Sequence, residues 1–222
     1  MTKPAVFLDR DGTVIEERGY LDRMELLELF PWTADALRLL KRAGYTLVVV
    51  TNQSAIARGI IDEPFLGQVH HELSTRLARG GAAIDRYYYC PHLVDAPLER
   101  YRQTCRCRKP GPGMIEQACQ ELGLDPARSF MIGDRWLDVA CGVGAGTRAI
   151  RVLTGHGAAE PEMPPESLFA DVSRRSAEHA GGAKAKADLS RRSAELSSGA
   201  KADVILDNLM EAAGWILRNS PR

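Results

Sequence analysis

The chain has 222 residues, 45% of them hydrophobic, and its 29 Lys and Arg balance 29 Asp and Glu. At about 150 residues per domain this is one large domain, or one with an appendage, and it carries enough apolar side chain for a core, which excludes wholesale disorder. Zero net charge leaves no basic sheath for counterion release and no polybasic helix for an anionic bilayer, so neither nucleic acid nor membrane is expected as a partner.

Met1-Thr2-Lys3-Pro4 leads into the short apolar run Ala5-Val6-Phe7-Leu8, too short for a signal-peptide core. No stretch of about 18 apolar residues follows, and a soluble cytosolic location is expected. The run ends abruptly in Asp9-Arg10-Asp11-Gly12-Thr13. Thr33 is expected to cap a helix carrying Leu37, Leu40 and Ala43, stopped by Gly44. Thr46 to Val50 is a second, β-branched run, ending in Thr51-Asn52-Gln53-Ser54, with Arg58-Gly59 beyond. Phe65, Val69, Leu73 and Leu77 recur every four residues, with Pro64 near the start and Gly80-Gly81 past the end, which predicts a second helix. Pro112 opens a third, with Ile115, Ala118 and Leu122 on one face and Gly123 after it. Ser129 to Ile132, ending in Gly133-Asp134, and Ala149 to Leu153 are further apolar runs. Runs without polar alternation suit strands covered on both faces, and their alternation with helices predicts an α/β fold with a parallel sheet. Polar residues just past three strand ends stand where such sheets bind ligands.

Residues 160–202 break the pattern. Ala170-Asp171-Val172-Ser173-Arg174-Arg175-Ser176-Ala177-Glu178 recurs as Ala187-Asp188-Leu189-Ser190-Arg191-Arg192-Ser193-Ala194-Glu195, in a setting rich in Ala, Ser, Gly and Lys. Two copies fall short of a solenoid, so the segment reads as a duplicated low-complexity surface insertion. Residues 1–159 then form the core, and 203–222, with Val204-Ile205-Leu206 and Leu209 to Leu217, supply a last strand and helix.

Chemistry concentrates at the run ends. One of two carboxylates two positions apart can attack phosphorus beside a divalent cation, while the other protonates the leaving oxygen and later deprotonates water. Gly12 permits the tight turn that brings both onto one ligand. Read alone, Asp9 and Asp11 also fit a capped turn. Thr51 to Ser54 can cradle a phosphate through hydroxyl and backbone N–H groups, though such residues are ordinary in turns. Lys109 can offset charge on a phosphorylated carboxylate, and Arg108 can fork onto a second phosphate or a polyol. Asp134, with Asp9 and the Asp11 carbonyl, offers an oxygen-rich Mg²⁺ site, and Asp138 reads as a supporting residue or a helix cap. Cys90, His92, Cys105 and Cys107 fit tetrahedral Zn²⁺ in a closed, structural site. Cys119 and Cys141 read as small core residues, and His70 and His71 as surface or half-buried. His156 and His179 have no evident partner.

Taken together, Phe7-Leu8-Asp9-Arg10-Asp11-Gly12-Thr13, Thr51-Asn52-Gln53-Ser54 with Ile56-Ala57-Arg58-Gly59, Tyr88-Tyr89-Cys90-Pro91-His92, Cys105-Arg106-Cys107-Arg108-Lys109-Pro110 and Gly133-Asp134 resemble the haloacid dehalogenase (HAD) superfamily of phosphatases. Within it the likeness is to the group of heptose-bisphosphate and histidinol-phosphate phosphatases, over roughly 5–155 and 203–217. The resemblance implies a Rossmann-like three-layer fold with no large cap domain and a small zinc loop, 90–107, in its place. It implies a Mg²⁺-dependent phosphomonoesterase acting on a small sugar phosphate, as a monomer. Asp9 matches the nucleophile and Asp11 the general acid/base, with Thr51 and Lys109 steadying the transferred group. Asp9, Asp11 and Asp134 match the Mg²⁺ ligands; Cys90, His92, Cys105 and Cys107 match the zinc ligands. Glu17, Arg18, Gly19, Tyr20, Thr51, Asn52, Gln53, Ser54, Arg108, Lys109 and Arg135 match substrate-contacting positions. Three positions depart from the family: Ile15 stands for a polar residue near the pocket, Ala55 for Gly and Arg135 for Lys. If position 55 needs positive φ, Ala55 is strained by about 1 kcal/mol or more. The rivals are a histidinol-phosphate phosphatase and an inactive, zinc-stabilised binding protein on the same scaffold.

Overall fold

In the first apolar run, alternate side chains must point to opposite faces, and all four are fully buried. This is possible only with a layer on each side. A computed structural model describes residues 2–161 and 202–220 and shows those layers. The elements are β1 (Ala5–Leu8), α1 (Thr33–Arg42), β2 (Thr46–Asn52), α2 (Ser54–Ala57), α3 (Glu63–Arg79), β3 (Arg86–Cys90), α4 (Gly113–Leu122), β4 (Phe130–Gly133), α5 (Trp136–Ala145), β5 (Arg148–Val152), β6 (Val204–Leu206) and α6 (Leu209–Asn219). The six strands run in the order β3-β2-β1-β4-β5-β6, and every pairing is parallel. The fold is the expected three-layer α/β arrangement.

Val6, Leu8, Leu47 and Val49 face one layer, built from Leu37 and Leu40 of α1, Leu73 and Leu77 of α3, and Leu209 and Ile216 of α6. Phe7, Val48 and Val50 face the other, against Met114, Ile115 and Ala118 of α4 and Cys141 of α5. Each large apolar side chain so buried contributes about 1.5–3 kcal/mol. From β1 the chain winds outward to β2 and β3 on one side and to β4, β5 and β6 on the other. The crevice where the winding reverses lies beyond the carboxyl ends of β1, β2 and β4.

Several local expectations are corrected. Thr33 does not cap α1; its fully buried hydroxyl donates to Val14 O at 2.8 Å, tying the helix to the loop after β1, and Trp32 takes the cap position without a side-chain bond. Asp62, not singled out in the sequence, caps α3 by accepting from Phe65 N–H at 2.8 Å. Strand β3 was not among the apolar runs, because its core-facing residues are Tyr88 and Cys90, set between an exposed Arg86 and partly exposed tyrosines. Ala55 lies in α2, and no residue other than glycine has positive φ among the described residues, so the expected strain at that position does not arise. Ile15 is fully buried in the core that faces α1, α3 and α6.

The duplicated stretch lies outside the described residues, but its flanks do not. Trp136 Nε1 donates to Pro161 O at 2.8 Å, and Ala202 packs on the small apolar group of Trp136, Val139 and Ala149. Both flanks therefore meet at the first turn of α5.

Candidate active site and metal centre

Asp9 leaves from the last rung between β1 and β4, its N–H donating to Ile132 O at 2.9 Å. The turn that follows needs Gly12, at φ 76°, and the loop after β5 needs Gly155, at φ 56°. A Cβ on either would lie 2.4 or 2.3 Å from Asp134 Oδ2, so the two glycines let both loops close on the carboxylate at the end of β4. Asp134 Oδ2 accepts from His156 N–H at 2.7 Å, while Oδ1 is buried with no partner.

Lys109 enters from the opposite side and is almost fully buried. Its ammonium lies 2.8 Å from Asp9 Oδ1 and 2.5 Å from Asp138 Oδ1, and donates to Val50 O at 3.0 Å. One hydrogen bond and two carboxylate ion pairs hold the ammonium in place. Asn52, at the end of β2, clasps the same residue's backbone: Oδ1 accepts from Lys109 N–H at 3.0 Å and Nδ2 donates to Lys109 O at 3.1 Å. Asp138 also accepts from Arg135 N–H at 3.0 Å, so it both caps α5 and anchors the lysine.

Too many acids share this space. Burial pushes Asp9 up to about 7, with Lys109 opposing and Asp138 and Asp11 adding to the rise. Burial, then Asp138 and Asp9, push Asp134 up to about 8. For Lys109, burial acts to lower the pKa, but the Asp138 and Asp9 carboxylates overcome it and hold it above the ordinary value. Carboxylate oxygens of Asp9, Asp134 and Asp138 lie within 4.8 Å of one another. A bare buried oxygen on Asp134 and an all-oxygen donor set fit a hard divalent cation such as Mg²⁺.

A pH dependence follows. Because Asp9 and Asp134 are raised, the folded protein retains protons that the unfolded chain has lost, so metal-free stability falls as pH rises from about 4 to about 8. Mg²⁺ should therefore raise the thermal midpoint little at pH 5 and by several degrees at pH 8. Scanning calorimetry across that range checks this; Asp134→Asn should flatten the slope, and a flat wild-type profile would contradict it.

The carboxyl strand ends open into a cavity of about 340 Å³. Asp9, Asp11, Asp134, Lys109 and Arg108 line it, with Thr51, Asn52, Gln53 and Ser54 along one wall. Glu17, Gly19 and Tyr20 line the rim, as does Arg135, whose Nε pairs with Glu160 at 3.1 Å. Arg18 is a correction. It does not line the cavity, because Glu16 and Glu28 hold its guanidinium at 2.5 and 2.7 Å on the outside of the loop. The Asp11 side chain is also apart from the three clustered carboxylates, tied instead to Arg10 and Gln53. His156, for which the sequence offered no partner, lines the cavity with Nε2 3.6 Å from Glu17 Oε2. Only the Thr-Gly-His run after β5 could have signalled it.

A second constellation lies beside the first. Cys90 Sγ is 3.5 Å from Cys105 Sγ and 3.3 Å from Cys107 Sγ, the latter two are 3.3 Å apart, and His92 Nδ1 is 3.6 and 3.4 Å from Cys90 and Cys107. Thiolates about 2.3 Å from a tetrahedral zinc ion would be about 3.8 Å apart, so these four residues can close on one ion with slight expansion. Arg108 Nη1 donates to His92 O at 3.2 Å, linking the loop to the cavity.

A family model described as HAD-hydrolase-like matches residues 106–174. A relative from Photorhabdus laumondii, named D-glycero-beta-D-manno-heptose-1,7-bisphosphate 7-phosphatase, is 47% identical over 61% of this chain and 72% of its own. One of the same name from Escherichia coli K12 is 43% identical over 76% of this chain and 86% of its own. Among solved structures, a D,D-heptose 1,7-bisphosphate phosphatase from B. bronchiseptica, complexed with magnesium and phosphate, superposes with a TM-score of 0.72 at 25% identity, covering 98% of this chain and 99% of the other.

Proposed function

This chain belongs to the HAD-type D-glycero-beta-D-manno-heptose-1,7-bisphosphate 7-phosphatases, and from that premise we propose that it removes the C7 phosphate of that sugar bisphosphate and leaves the 1-phosphate. It is a phosphoric monoester hydrolase. The observation that carries the residue assignments is Asp9: one oxygen is held by Lys109 and the Arg10 N–H, and the carboxylate opens on the cavity beside Asp134.

Asp9 attacks phosphorus along the line of the departing ester bond. Both partners are anionic, so the reaction needs positive charge already in place. Lys109 supplies one such charge, fixed by its two ion pairs and its bond to Val50 O. A Mg²⁺ ion held by Asp9, Asp134 and the Asp11 carbonyl would supply Lewis-acid neutralisation of the phosphoryl oxygens. Thr51 and Ser54 offer hydroxyl and backbone donors to the same oxygens. As the O–P bond to Asp9 forms and the ester bond breaks, Asp11 gives its proton to the departing sugar oxygen. It then takes a proton from the water that splits the phosphorylated Asp9. Arg108 is placed to meet the remainder of the substrate. The four residues Cys90, His92, Cys105 and Cys107 hold zinc and shape that wall. The protein works as a monomer in the cytoplasm; among the described residues no helix is long and apolar enough to cross a membrane.

Phosphate release from both anomers of the heptose bisphosphate and from histidinol phosphate, with and without EDTA, tests the reading. Mg²⁺-dependent turnover favouring one heptose anomer over histidinol phosphate is expected. Preference for histidinol phosphate would reassign the substrate, and no release from any of them would leave only the binding scaffold.

A further inference from the structure

Between the two catalytic carboxylates stands a residue whose side chain the mechanism above does not use. Arg10 is 2% exposed, and an arginine so buried is tolerated only when paired. Asp11 is its one ionic partner among the described residues. Nε and Nη2 lie 3.1 and 2.9 Å from Asp11 Oδ1, and Nη2 lies 2.9 Å from Oδ2, so the guanidinium engages both oxygens. Gln53 Nε2 adds a bond to Oδ2 at 2.9 Å. The main chain of the same residue serves the other acid, its N–H donating to Asp9 Oδ1 at 2.7 Å. Its carbonyl accepts from Val14 and Ile15 at 2.9 and 3.0 Å, closing the turn that carries them all.

The two partners are unequal. Arg10 is encased, with His70 of α3 and Tyr87 of β3 close enough to feel its charge, whereas the Asp11 side chain is 21% exposed toward the cavity. The encased member therefore sets the direction of the more exposed one. We propose that Arg10 is a positioning residue for the leaving-group step, aiming the Asp11 carboxyl into the cavity. The inference rests on the reading of Asp11 as the proton donor. In that step the Asp11 O–H bond breaks, its proton joins the sugar oxygen whose bond to phosphorus is breaking, and the electron pair stays on Asp11.

The test compares two esters. A sugar alkoxide leaves poorly without a proton, while p-nitrophenolate leaves readily without one. Arg10→Met should lower kcat on the heptose bisphosphate by about 10²-fold, the usual scale of general-acid assistance, with KM changed by less than about threefold. The burst of p-nitrophenolate from p-nitrophenyl phosphate, which reads phosphorylation of Asp9 alone, should stay within about threefold of wild type. Arg10→Lys, which keeps a buried cation but offers a point charge, should show the same selectivity at about tenfold, and carries the test if the Met variant does not fold. Equal losses on both esters, or no loss on either, would overturn the inference. Asp11→Asn separates the two layers. If it spares the sugar ester, the reading of Asp11 itself fails; if it shows selective loss while the Arg10 variants do not, only the inference fails.

Discussion

Asp9→Asn should lower phosphate release from the heptose bisphosphate by at least about four orders of magnitude, as removal of a covalent nucleophile does elsewhere. The fold should not suffer. Asn keeps the shape, and Lys109 retains Asp138 at 2.5 Å and Val50 O at 3.0 Å, so no buried charge is left alone. Burial already pushes Asp9 up to about 7, which means that the site carries its ionised form at a cost; a neutral amide relieves that strain in the metal-free protein. Unchanged circular dichroism and zinc content, with turnover lost, is the expected pattern. Ordinary hydrolysis by the variant would remove Asp9 from the mechanism.

The second large effect belongs to the sulfur cluster. Purified protein should hold about one zinc per chain, and Cys105→Ser should release it and lower stability by several kcal/mol. The loss should stay below the about 10–16 kcal/mol of domains that fold only around zinc, because the two sheet faces bury their own core. Activity should fall as well, through KM. Cys107 is followed directly by Arg108 and Lys109, and Arg108 is tied to His92 O, so a loosened loop displaces both cations from the cavity wall. Metal analysis and thermal unfolding of wild type and variant check this. A zinc-free wild type whose midpoint ignores chelators would contradict it.

Much of this architecture is legible in the residues because its signals are local. A run such as Ala5-Val6-Phe7-Leu8 can be buried on both faces only inside a parallel sheet, and an acidic pair just past it must sit at the carboxyl edge. The cysteines and His92 reveal themselves by ligand type and spacing. What stayed hidden depends on direction or on distant parts of the chain. Arg18 sits inside a substrate-matching stretch, yet Glu28 draws it outward. Thr33 looks like a cap, but Val14 O offers its hydroxyl a buried partner. Asp138 pairs with Lys109 only because α5 lays it against that side chain, and His156 meets Asp134 only because β5 lies beside β4. Strand β3 carries no apolar run, since Tyr88 and Cys90, not β-branched residues, fill its core-facing positions.

The shared post at Trp136 has a consequence for how such a chain can change. Pro161 O accepts from that indole and Ala202 packs on the small apolar group around it, so the segment that joins them begins and finishes beside the first turn of α5. For a chain closed between fixed ends, each doubling of length adds only about 0.6 kcal/mol. A copying event between these anchors therefore leaves β5, β6 and the Asp134 turn undisturbed. The tandem copies at 170–178 and 187–195 fall between these two anchors in the sequence.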